Sequence, residues 1–144
     1  MSSGWAAPTA IVIDTADRSW AGIWSLLYLV GKATFTLSLA VPLHQAVPLT
    51  FAALDLREAR DELEWIYPEL PHTCPAVTLG PLPIVLDDHE PRAVLLHALT
   101  AVTTRLTTLG QQNLTLEQRR CLDTTLAKVL SAETALASTA SAPR

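Results

Sequence analysis

Charge is the scarcest commodity in this chain. Of its 144 residues only 17% are charged, while 49% are apolar; soluble domains commonly carry about 25% charge. A surface this short of charge implies that part of it is covered. Basic residues are scarcer than acidic ones, 10 against 14, for a net charge of −4. The longest basic run, Arg119-Arg120, is too short to neutralise a track of phosphates, which argues against a nucleic-acid partner. Cysteine is limited to Cys74 and Cys121, with no CxxC. Neither a zinc ribbon nor a disulfide framework is therefore expected, and two free thiols suit a reducing, cytoplasmic setting.

Motifs are equally scarce. There is no GxGxxG, no Walker-type loop, no HExxH and no glycine-rich elbow beside a serine or cysteine. No catalytic residue is assigned, no cofactor is expected, and the reading leans away from an enzyme. The opening residues MSSGWAAPTAIVID carry no basic segment ahead of an apolar run, so no signal peptide is expected.

Apolar residues, by contrast, crowd the first third. Residues 19–54 carry one formal charge, Lys32. Ile23, Leu27, Val30, Thr34, Leu37 and Val41 recur at alternating four-and-three spacing, which puts them on one stripe of a helix. Beside them run Trp20, Trp24 and Tyr28, each four apart, with Phe35 two turns further on. Together these predict a first helix from an N-cap at Asp14 or Thr15 to about Val41, ended or kinked by Pro42 and Pro48. The aromatic stripe is read first as core packing and second as a pocket or partner groove. Residues 34–43, TFTLSLAVPL, also alternate strictly, which is the competing pattern of a half-buried strand. A membrane anchor through residues 19–41 is a further alternative, opposed by Lys32, whose insertion costs about 2.5–3.5 kcal/mol.

From Asp55 the character changes. Leu56, Ala59, Leu63, Ile66 and Leu70 keep a helical spacing while six acids and two arginines take the other faces of residues 55–69. A second helix is expected here, wet on its acidic side, with Arg57–Asp61 and Arg60–Glu64 pairs. Pro68 and Pro71 stop it. Residues 72–90 are proline-rich, framing Val77, Leu79, Leu82, Ile84, Val85 and Leu86, and read as a long crossover that buries alternate side chains, or as two short edge strands around Gly80-Pro81. The ligand-type residues His72, Cys74, Asp87, Asp88, His89 and Glu90 gather at its two ends. His72, Cys74 and His89 are the nearest to metal candidates, but no spacing matches a structural site and no metal is assigned.

A third helix begins at Asp87 or Asp88 and runs to Gly110 on a seam of Leu95, Leu99, Val102, Leu106 and Leu109. Its back carries Thr100, Thr104 and Thr108 with Thr103 and Thr107 beside them, and only Arg105 is charged there. That face is expected to touch another helix or a second subunit. Thr115 and Gln118 stand in capping-box spacing and open a fourth helix with Leu122, Leu126, Val129 and Leu136 inward. The third and fourth helices are expected to pair as an antiparallel hairpin. Residues 9–13 are expected to be a short strand or apolar arm, and residues 1–8 and 138–144 flexible ends.

Residues 1–144 thus predict a single, mainly α domain: a bundle of about four helices with a long proline-rich crossover between the second and third. The expected function is a helical protein-interaction or scaffold module that self-associates through apolar helix faces, its partner being another copy or another protein. The binding residues named for it are Trp20, Trp24, Tyr28, Phe35, Thr100, Thr104 and Thr108. A small-molecule-binding domain, with Trp20, Trp24 and Tyr28 as a pocket and residues 72–90 as its lid, is the alternative; membrane association ranks last.

Overall fold

The computed structural model describes residues 4–82 and 87–138. It is mainly helical, with six helices and no strand among the described residues. These are α1 (Ala6–Thr15), α2 (Trp20–Ser38), α3 (Leu43–Ile66), the single turn α4 (Leu70–Thr73), α5 (His89–Gly110) and α6 (Leu116–Ala137).

The central element is α2, packed by α3 on one side and by α5 and α1 on others. Its stripe Ile23, Leu27, Val30, Thr34 and Leu37 is wholly buried, as its spacing required. Ser19 caps it by accepting the Ala21 N–H at 3.3 Å. The helix therefore starts at Trp20 and not at Asp14 or Thr15, because residues 16–19 turn the chain back from α1. That turn lies directly on Gly22, whose missing side chain leaves room for the Asp17 backbone. The strand pattern in residues 34–43 is not used. Leu37 points inward while Phe35, Leu39 and Leu43, which share its parity, are exposed; a strand would have put all four on one face.

Upstream, residues 9–13 form part of α1 instead of a strand or arm, burying Thr9 and Val12. Trp5, placed by sequence in a loose end, is 1% exposed and donates its indole N–H to the Gly80 carbonyl at 2.9 Å. The expectations for residues 1–3 and 139–144 fall outside the described residues, as do those for Ile84, Val85 and Leu86. Val77, Leu79 and Leu82 pack against the core.

Helix α3 begins twelve residues before the expected Asp55, at Leu43, and passes through Pro48. Pro48 is the sixth residue of the helix and withdraws the N–H that would reach the His44 carbonyl; packing of α3 on α2 and α6 carries the helix through that loss. Pro42 supplies the N-cap, its carbonyl accepting from Gln45 and Ala46 at 2.9 Å. Antiparallel pairing of α3 with α6 follows from four links: Tyr67 with Gln118, Glu62 with Cys121, Glu58 with Lys128, and Asp55 with Ser131. The Lys128–Glu58 bond, 2.6 Å long, pushes the Lys128 pKa up. The pair is substantially exposed, so it adds little to stability.

Helices α5 and α6 also lie antiparallel, as their short connection implied. Thr115 and Gln118 form the full capping box. At the start of α5 the Asp87 carboxylate accepts the His89 N–H at 3.0 Å, and Asp88 pairs with Arg92 at 2.6 Å. Arg92 and Arg105, both buried, serve as braces. The Arg92 guanidinium donates to the carbonyls of Ala135, Leu136 and Ser138 at the end of α6. That of Arg105 donates to Ile13 at 2.9 Å and Ala16 at 3.4 Å at the end of α1. Each cation thus meets the negative end of a helix dipole and its partnerless carbonyls. Burial, with a smaller contribution from Arg18, lowers the Arg105 pKa. The sequence placed Arg105 on an outer threonine face; its long side chain instead turns in to clamp α1.

Candidate functional site

The aromatic stripe of α2 is where the site is built. Trp24, almost fully buried, donates its indole N–H to Glu64 of α3 at 2.8 Å and stacks on Tyr28 with ring centres 5.4 Å apart. Arg60 lies 4.9 Å above the Tyr28 ring and 3.8 Å from Glu64, and Lys32 lies 5.5 Å from the same ring. Trp20 meets Tyr67 at 5.8 Å, and the Tyr67 hydroxyl accepts from Gln118 at 2.7 Å. Three aromatics spaced one turn apart therefore stitch α2 to the polar side of α3. Contacts of these kinds are worth about 0.5–1.5 kcal/mol each.

Toward the end of α2 the seam opens into a groove of about 370 Å³. Its α2 wall is Leu27, Gly31, Lys32 and Phe35, and its α3 wall is Thr50, Ala53, Leu54, Arg57 and Arg60. Small Gly31 and Ala53 make the recess. Of the four stripe residues only Phe35 reaches it. The expected Arg60–Glu64 pair forms, but Arg57 makes no ion pair with Asp61 or with any other acid among the described residues. Its guanidinium stands at the groove instead.

Phe35 and Leu54, which line the groove, also belong to a strip of exposed apolar side chains. Phe35 and Leu39 stand one turn apart at the end of α2, and Leu43, Val47, Phe51 and Leu54 follow down one face of α3. Leu39 is 71%, Leu43 79% and Phe51 64% exposed, levels that scattered surface leucines reach singly but that mark a binding surface when contiguous. Sequence reasoning missed this strip. The signal was the four-four-three spacing of residues 43, 47, 51 and 54, hidden by the assumption that Pro48 ends a helix.

The other candidates lie elsewhere. Thr100, Thr104 and Thr108 are exposed on the outside of α5. The hydroxyls of Thr100, Thr107 and Thr108 donate to carbonyls one turn back in the same helix, so these three ask for no polar partner. His72 is exposed in α4, Cys74 half-buried just after it and His89 exposed at the start of α5. Among the described residues no three His, Cys, Asp or Glu come together to hold a metal ion. Cys74 and Val77 line a second recess, of about 310 Å³, with Val12, Ala16, Gly22 and Ser25 at the α1–α2 junction, so this part of the loop covers that junction.

The two thiols differ sharply. Cys121 is buried against the Glu62 carbonyl, at 3.5 Å, and burial pushes its pKa up, which disfavours the reactive thiolate. Native protein treated with iodoacetamide at neutral pH should gain one adduct by intact mass, on Cys74, and a second only in denaturant. Two adducts formed at equal rates in the native state would contradict this packing.

Among the described residues no helix is long and apolar enough to cross a membrane. Comparison of the chain with protein-family models, with curated proteins and with solved structures gives no match.

Proposed function

We propose that this chain is a helical interaction module that self-associates, a second copy covering the α2–α3 face. In this reading the four long helices are the bundle, the proline-rich segment after α4 is a crossover strapped over it, and the free thiols suit a reducing compartment. What supports the reading is the exposed strip Phe35, Leu39, Leu43, Val47, Phe51 and Leu54. Residues 33–54 carry no formal charge, so two copies meet there without like-charge repulsion even though each chain is at −4. The seam of residues 43, 47, 51 and 54 can interdigitate with its own copy about a twofold axis, residue against equivalent residue. Each such side chain is worth about 1.5–3 kcal/mol on full burial. The strips of two copies together can therefore outweigh an association cost of roughly 4–15 kcal/mol.

Substitution decides which face is used. Phe51→Glu and Val47→Glu should each weaken association at least about a hundredfold, the cost of burying an unpaired carboxylate at an interface, with helical circular dichroism unchanged. Thr104→Glu, on α5, should leave the assembly intact. If Thr104→Glu separates the copies and Phe51→Glu does not, the interface lies on the threonine face and this assignment falls.

A further inference from the structure

We propose that the groove between α2 and α3 binds a small carboxylate with an apolar tail. This goes beyond self-association: the groove shares Phe35 and Leu54 with that strip, but its recess and its cations are separate from it, and neither Val47 nor Phe51 lines it. The recess is apolar, formed by Leu27, Gly31 and Ala53, with the half-exposed Phe35 and Leu54 at its edge. Its volume of about 370 Å³ falls in the range of small-ligand pockets. Three cations, Lys32, Arg57 and Arg60, line the same space, in a chain that is otherwise acidic. No acid lines the groove, and Glu64, the partner of Arg60, is also engaged by Trp24. Lys32 and Arg57 have no acidic partner among the described residues.

The site is also held in shape. The ring of Tyr28 sits beneath both Lys32 and Arg60, a shelf that favours cations at its face. An apolar recess beside these cations selects the two halves of an amphipathic anion: the tail displaces water from Gly31 and Ala53, and the carboxylate accepts from Arg57, whose fork of donors suits two oxygens at once. A bare phosphate would leave the recess unfilled, and a neutral or cationic amphiphile would leave the arginines unanswered.

Isothermal titration calorimetry with octanoate, octanol and octylammonium, all below their aggregation limits, separates these contributions. Octanoate should bind about tenfold or more tighter than octanol, as expected of hydrogen bonds to a charged group, and octylammonium weakest. In the double variant Lys32→Met, Arg57→Met, both positions being exposed, the preference for octanoate over octanol should vanish while octanol binding stays. Thr50→Trp, at an exposed rim position, should block both ligands with the cations intact. Unchanged thermal melts would establish that both variants are folded. Repeating the titration on Phe51→Glu should keep the preference for octanoate over octanol, with affinities equal or higher because no second copy then covers Phe35 and Leu54, which keeps this result apart from that of self-association. Octanoate binding no tighter than octanol, a preference that survives the double variant, or no binding at all would each overturn the proposal.

Discussion

Trp5→Ala should cost about 3–5 kcal/mol, the usual range for emptying a buried tryptophan site. The indole is 1% exposed within the core cluster and its N–H holds the Gly80 carbonyl. Its removal leaves a cavity and frees the segment that crosses from α4 toward α5. With about 2–4 °C of melting temperature per kcal/mol in a chain of this size, thermal unfolding followed by circular dichroism should shift down by about 10 °C. Amide exchange in residues 76–82 should accelerate in the same variant. Trp5→Phe fills most of the space but lacks the donor, and should lose only about 1 kcal/mol. A melt within 2 °C of the parent for Trp5→Ala would mean that the N-terminal residues do not anchor this segment.

Gly22→Ala is the second large effect, and its sign is what makes it informative. Replacing glycine by alanine inside a helix ordinarily stabilises by about 0.8–1 kcal/mol. Here the added methyl would fall on the Asp17 backbone, with its carbonyl oxygen, carbonyl carbon and nitrogen the nearest atoms. No side-chain rotation relieves a clash with main chain, so either the α1–α2 turn moves or α2 starts later. The expected cost is about 3 kcal/mol or more, at the upper end of overpacking, read as a lowered urea midpoint with unchanged slope. Gly31→Ala is the internal comparison, because a Cβ there meets only the Leu56 Cβ at 3.5 Å, an ordinary contact. It should be neutral or slightly stabilising. If both substitutions stabilise, the close approach of residues 17 and 22 is wrong.

Much of the fold was legible because it rests on periodicity. The stripe Ile23, Leu27, Val30, Thr34 and Leu37 of α2 and the leucine seam of α5 are buried in the registers their spacing required, and the capping box of α6 sits where Thr115 and Gln118 announced it. What escaped was set by tertiary contact. Nothing in a short run such as TAIVI distinguishes strand from helix until α5 and α2 offer α1 a surface to pack on. Pro48 reads as a breaker because it removes a helical hydrogen bond, but packing of α3 against α2 and α6 carries the helix through it, and the true length of α3 is lost with that reading. Arg92 and Arg105 look like surface charges in sequence, because only the folded chain shows the helix ends they reach.

The candidate site was legible in part, and for the same reason. Phe35 was singled out on the aromatic stripe and does stand at the groove, whereas Trp20, Trp24 and Tyr28 are taken up by Tyr67, Glu64, Arg60 and Lys32 across the α2–α3 seam. An aromatic stripe announces burial, but it does not say whether protein or ligand does the burying. The strip from Phe35 to Leu54 was not legible because the sequence reading left residues 44–54 without an element, whereas α3 begins at Leu43 and sets Leu43, Val47, Phe51 and Leu54 on one face.

That face is the central claim, and molar mass tests it most directly. Size-exclusion chromatography with multi-angle light scattering, in buffer without detergent and over a range of loading concentrations, should give twice the 15.6 kDa of one chain, with Phe51→Glu returning it to the single-chain value. A mass of one chain at every concentration up to several hundred micromolar would contradict self-association through the α2–α3 strip.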